Sequence, residues 1–171
     1  MVAQGVSQTD QSVTRAVAAN LAAGRTSVCR MAAAARCDVV PVDIGMAGEK
    51  VEGVLDRRIA DGTADFTQGP AMTREQALEC LQVGIDMARE EKNKGLDIVA
   101  AGEMGIGNTA PSTAIVAVLT GTPVETVTGR GSGVRGEVIR KKIKLIEQGI
   151  TLNKPDPSDA IDVLAKVGGP E

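Results

Sequence analysis

Between residues 12 and 35 the apolar positions Val13, Val17, Leu21, Val28 and Met31 recur at helical spacing in an alanine-rich background, interrupted at Gly24 and Arg25. Side chains three and four apart share one helix face, so this stretch predicts two helices with a break between them. Residues 37–45 form a β-branched run that closes on Asp43 and Gly45, which predicts a buried parallel strand against the resistance of Pro41. Residues 50–69 carry Gly, Asp and Arg with short apolar groups and predict a long loop holding one weak strand at 54–59. Thr73, with Gln76 three residues later, is a capping box. It opens a helix whose buried side is expected to carry Ala77, Leu78, Leu81, Ile85, Met87 and Ala88.

An apolar run at 96–101 predicts the next strand, the glycine-rich segment 102–109 a turn, and residues 112–119 a helix. The run at 124–127 predicts another strand, followed by a second glycine-rich turn at 129–133 and a helix at 138–148. A short helix at 157–165 is then stopped by Gly168 and Gly169. Strands alternating with helices imply an α/β fold, a three-layer, Rossmann-like, mostly parallel sheet with helices on both faces. With three or four strands the sheet is narrow, its edges are open and the fold is expected to be incomplete. Nothing repeats at a fixed period and no low-complexity linker divides the chain, so residues 1–171 are expected to be a single domain.

Composition narrows the chemistry. The chain has 43% apolar and 24% charged residues, enough for a core, but one Phe and no Trp or Tyr, which removes the aromatic platforms of stacking-based nucleic-acid recognition. A net charge of −3 argues against a polyanion partner, despite the local cluster of Arg140, Lys141, Lys142 and Lys144. Histidine is absent, so triads built on it are excluded and acid–base work falls to carboxylates, lysine or cysteine. Cys29, Cys37 and Cys80 are odd in number and form no C-x-x-C pair; they are expected to be reduced, buried thiols. No leader pattern or membrane-length apolar stretch is present, and a cytoplasmic location without membrane partner is expected.

The turn at 102–109 concentrates the candidate chemistry. Its glycines let backbone N–H groups approach a ligand, and the helix that follows aims unpaired donors and a positive dipole end at the same place, which suits an anion such as phosphate. Glu103 stands there as a single carboxylate. A helix-terminus acid would be the ordinary explanation, but glycines on both sides and Asn108-Thr109 beyond favour a ligand role, such as steadying a developing cation. The two glycine turns lie at carboxyl ends of expected parallel strands and should face one cleft. Lys142, by contrast, reads as part of a solvated helix face. Asp43 either serves a ligand or caps a turn. Asp156, Ser158, Asp159 and Asp162 look like helix caps, and no metal site is assigned. The dinucleotide fingerprint at 131–136 follows a short strand late in the chain and reads as coincidence, which leaves an NAD-dependent oxidoreductase as the weakest option.

The block Gly102-Glu103-Met104-Gly105-Ile106-Gly107-Asn108-Thr109, with Gly129-Arg130-Gly131-Ser132-Gly133, resembles the nicotinate-nucleotide–dimethylbenzimidazole phosphoribosyltransferases of cobalamin lower-ligand synthesis. Gly5-Val6-Ser7, Val42-Asp43-Ile44-Gly45, Gly69-Pro70-Ala71-Met72-Thr73-Arg74 and Asn153-Lys154-Pro155-Asp156-Pro157 match as well, so the resemblance covers essentially the whole chain. It implies a longer enzyme, of which this chain is a truncated core, that moves 5-phosphoribosyl from nicotinate mononucleotide to dimethylbenzimidazole or a related base, giving α-ribazole phosphate. It implies that Glu103, Met104, Gly105, Asn108, Thr109, Gly129, Gly131 and Ser132 hold the nucleotide, and that Lys142 lies near its phosphate. The family's general base would lie beyond Glu171, so no catalytic residue is assigned here. No metal or organic cofactor takes part, and a homodimer is expected. The alternative is an inactive nucleotide-binding or scaffold module of the same fold.

Overall fold

The structure, a computed structural model, describes residues 7–131 and 133–171. The alanine-rich start forms α1 (Ser12–Ala22) and α2 (Ser27–Ala35). Thr26 caps α2 by accepting a hydrogen bond from the Cys29 N–H, and Gly24, at φ +69°, supplies the break between the two helices. Neither helix has a buried residue.

The parallel sheet is two strands wide: β1 (Val42–Asp43) and β2 (Leu55–Asp56), with Val42 opposite Leu55. Asp43 resolves its two readings in favour of the turn. Its Oδ1 accepts the N–H groups of Gly45 and Met46 at 3.0 and 2.7 Å, and its Oδ2 binds the Arg58 guanidinium at 2.7 Å. The long strand expected at 37–45 is thus only its last part, and residues 37 and 38 are exposed.

Helix α3 (Arg74–Asn93) begins at the capping box read from the sequence: Thr73 Oγ1 accepts the Gln76 N–H and Gln76 Oε1 accepts the Thr73 N–H. Its buried side corrects the expectation. Ala77 and Cys80 are buried, whereas Leu78, Leu81 and Ile85 are exposed. The 96–101 run is also corrected. It pairs with no strand among the described residues, and Ile98 and Val99 are 84% and 67% exposed. A β-branched segment becomes a strand only when a neighbour accepts its backbone hydrogen bonds.

The core is helical. It is built by α4 (Thr109–Thr120), α5 (Val124–Val127), α6 (Glu137–Asn153) and α7 (Ala160–Val167), with α7 also packed on α3. The expected strand at 124–127 is the single turn α5. Spaced three apart, Val124 and Val127 share one face, and the residues reach the core cluster together. Phe66 is 2% exposed and lies across Gly149 of α6, where a Cβ would collide with its ring. Asp159 caps α7 by accepting the N–H groups of Ile161 and Asp162. Backbone bonds from Ala71 to Lys166 and from Met72 to Ala165 fasten the start of α3 to α7. Among the thiols Cys80 is buried, Cys29 half-buried and Cys37 exposed, so only one of the three is buried as expected. The whole is a helix-rich α/β fold with a small parallel sheet, the incomplete form expected from the strand count. No described helix is long and apolar enough to cross a membrane.

Candidate active site

Lys142, on the inward face of α6, is 2% exposed, which overturns its reading as part of a solvated surface. Its neighbours Lys141 and Lys144 are exposed, as helical rotation requires when one member of a charged run turns to the core side. The Lys142 ammonium donates to Thr109 Oγ1 at 2.8 Å and to the Gly129 carbonyl at 3.1 Å. One side chain therefore ties the first turn of α4 to the second glycine corner, and the two turns do meet. Both partners are neutral oxygens. Burial without a neighbouring carboxylate pushes the lysine pKa down, and a buried cation lacking a counter-ion costs several kcal/mol. An anion delivered to that ammonium recovers this cost.

The approach of the two corners depends on a missing side chain. Gly131 lies at φ +53°, and a Cβ there would stand 2.6 Å from Thr109 Oγ1 and 3.6 Å from Lys142 Nζ. Ser132 lies outside the described residues. Gly107 at φ +90° turns the chain into α4, where the Asn108 and Ala110 N–H groups close turns on Gly105 and Gly107. Two braces from the N-terminal region hold these corners. Thr14 Oγ1 of α1 accepts the Ile106 N–H at 3.1 Å, and Gln8 Nε2 donates to the Gly133 carbonyl at 3.1 Å.

Glu103 is exposed and accepts a hydrogen bond from the Asn108 amide. Asn108 occupies the N-cap position of α4 and its side chain turns to Glu103; the Ala110 N–H is already bonded to the Gly107 carbonyl, and Pro111 has no N–H to cap. The positive dipole end of this 12-residue helix and the Lys142 ammonium belong to one corner. Met104 and Gly105 lie half-buried between Glu103 and this corner.

Sequence reasoning missed Glu171. Its carboxyl group packs against the glycine turn, where a Cβ on Gly105 would collide with Oε1 and a Cβ on Gly169 would stand 2.8 Å from Oε2. Enclosure of the carboxyl and the charge of Glu103 both raise its pKa. The available signal was indirect, a glycine in each of the two segments that meet there. The site is an open corner on the surface. A cavity of about 530 Å³ lies elsewhere, beside β1 and α3, lined by Asp38, Arg57, Glu90 and Lys94 among others.

Comparison with known proteins identifies the family. A family model described as Phosphoribosyltransferase matches residues 1–171. A nicotinate-nucleotide–dimethylbenzimidazole phosphoribosyltransferase of Geobacter sulfurreducens is 46% identical over 170 residues, covering 98% of this chain and 48% of the relative. The protein of that name from Clostridium acetobutylicum is 42% identical, over 99% of this chain and 48% of the relative. The crystal structure of CobT from Thermus thermophilus superposes with a TM-score of 0.92 at 41% identity, covering 99% of this chain and 51% of that one. The chain spans about half the length of the curated relatives it matches. With a family model matched from end to end and a neighbour of the same fold at this identity, the chain belongs to this phosphoribosyltransferase family.

Proposed function

We propose that this chain carries the nucleotide half of a phosphoribosyltransferase that passes 5-phosphoribosyl from nicotinate mononucleotide to dimethylbenzimidazole or a related base, giving α-ribazole phosphate and nicotinate. The observation that carries the reading is the bond pair of Lys142. A buried ammonium whose two partners are neutral oxygens joins the two glycine corners. The phosphate of the mononucleotide takes that place, assisted by Thr109, the start of α4 and the turn at Gly129, Gly131 and Ser132. The ribose and ring then extend toward Met104, Gly105, Asn108 and Glu103.

In the transfer, the bond from C1′ to the pyridine nitrogen breaks and its electron pair returns to the ring, while a benzimidazole nitrogen attacks C1′ from the opposite face with inversion. Positive charge builds on the ribose as nicotinate leaves. Glu103, exposed beside the corner, opposes that charge, and backbone donors hold the phosphate end still, so positioning and electrostatics supply the acceleration. The benzimidazole N–H proton goes to a base which the resemblance puts beyond Glu171, and no residue of this chain is assigned that step. Residues 1–171 act on this reading as a single nucleotide-binding domain of a cytoplasmic, homodimeric enzyme.

Calorimetric titration with nicotinate mononucleotide tests the reading. Saturable binding is expected, weakened at least about tenfold, or roughly 1.4 kcal/mol, by Lys142→Met. No heat at millimolar nucleotide, or equal affinity in the variant, would overturn it. A nucleotide-binding module without chemistry is favoured by a separate observation, the unpaired apolar segment with Ile98 and Val99 in solvent. That module binds the nucleotide but forms no α-ribazole phosphate when dimethylbenzimidazole is added.

A further inference from the structure

The corner has two ends of opposite charge. At one, the Lys142 ammonium is buried against Thr109 and Gly129. At the other, Asn108 donates to the exposed Glu103, with Asn108 and Thr109 adjacent at the start of α4. Glu171 adds to the acidic end. Its carboxyl occupies the notch that Gly105 and Gly169 leave by lacking side chains, and the Asn108 amide nitrogen borders the same notch, 3.2 Å from where a Gly105 Cβ would be. The residue as a whole is exposed, while its head is enclosed on the glycine side.

The geometry points to Glu171 as a second carboxylate of the site, which together with Glu103 faces the cationic ring of an N-glycosylated pyridinium mononucleotide whose phosphate rests on Lys142. This assignment rests on the nucleotide reading above. It makes the corner a charge ruler. A mononucleotide whose ring nitrogen is a pyridinium cation satisfies both ends provided that nitrogen, and not the anionic ring carboxylate of nicotinate, meets the glutamates, whereas one with a neutral base satisfies only the lysine end. The groups that face Glu171 are Glu103 from the glycine turn and the buried Cys80 thiol of α3, whose own pKa is raised by burial, so that it is a neutral neighbour at ordinary pH. Mutual repulsion and enclosure raise the Glu171 pKa in the free protein. A cationic ring opposes that rise, so under acidic conditions, where part of the Glu171 population carries a proton, the pyridinium nucleotide displaces it into solvent.

The test is calorimetric titration of the 171-residue chain with nicotinate mononucleotide and with uridine 5′-monophosphate, each in two buffers of different protonation enthalpy. The wild type is expected to prefer the pyridinium nucleotide and, in acidic buffer, to release protons on binding it. Glu171→Gln is expected to narrow the preference about tenfold, abolish the release and leave uridine monophosphate binding unchanged. Gly105→Ala, which displaces the carboxyl without removing it, should narrow the preference likewise. If both nucleotides bind and neither variant alters the preference, only the Glu171 assignment falls. If neither nucleotide binds, the nucleotide reading falls and takes the assignment with it.

Discussion

At the scale of single residues, Lys142 carries an unusual electrostatic load. Desolvation lowers its pKa, so the folded chain holds that proton less tightly than the unfolded chain, where the group titrates at its ordinary 10.5. The native state therefore gains stability as pH rises through the lowered value toward the ordinary one, and loses that gain below it. Urea unfolding of the wild type and Lys142→Met across this alkaline range is expected to show the wild type gaining on the variant as pH rises. A phosphate bound at the ammonium reverses the trend, because it restores the lysine's hold on its proton. A stability difference that stays flat with pH would mean the ammonium keeps its ordinary affinity for the proton. From sequence this residue looked like a member of a solvated run. Only the rotation of α6, set by Ile146 and Gly149 facing the core, turns it inward.

At the scale of elements, local chemistry was the readable part. Thr73 and Gln76 announced the start of α3 and make the reciprocal bonds expected of them. Thr73→Ala removes an acceptor from the first turn and should cost about 1 kcal/mol in urea unfolding, with no change in nucleotide affinity. The break near Gly24, the long α6 and the stop at Gly168 were equally legible because each depends on residues within a few positions. The strands were not. The run at 96–101 has the composition of a strand but no neighbour to bond among the described residues, and 124–127 coils because Val124 and Val127 serve the core better three apart than two. Of the candidate site, the meeting of the two glycine turns was legible, because the residues of each turn are contiguous. Glu171 was hidden because its relation to Gly105 spans 66 positions of chain and is visible only as a missing Cβ.

On the scale of the whole molecule, burial is uneven. The α4–α7 cluster with Phe66 is tightly closed, while Leu78, Leu81 and Ile85 of α3 and the 96–101 segment leave large apolar side chains in solvent. Exposed apolar surface drives association. Sedimentation of the chain is therefore expected to show concentration-dependent self-association, and paired Ile98→Asp and Val99→Asp substitutions should reduce it while leaving the thermal midpoint within a few degrees. Should the doubly substituted chain associate as before, the sticky surface lies elsewhere. The corner formed by the two glycine turns is on the better closed part, fastened by α4 and α6 and braced by Thr14 and Gln8.

The lone phenyl ring wedged over Gly149 has a practical corollary. A polypeptide without tryptophan or tyrosine is almost dark in the near ultraviolet, so Phe66 is its sole intrinsic optical marker and reports from the interior alone. Any aromatic base entering the corner would bring its own absorbance onto a nearly silent background, and could be followed directly without attaching a dye.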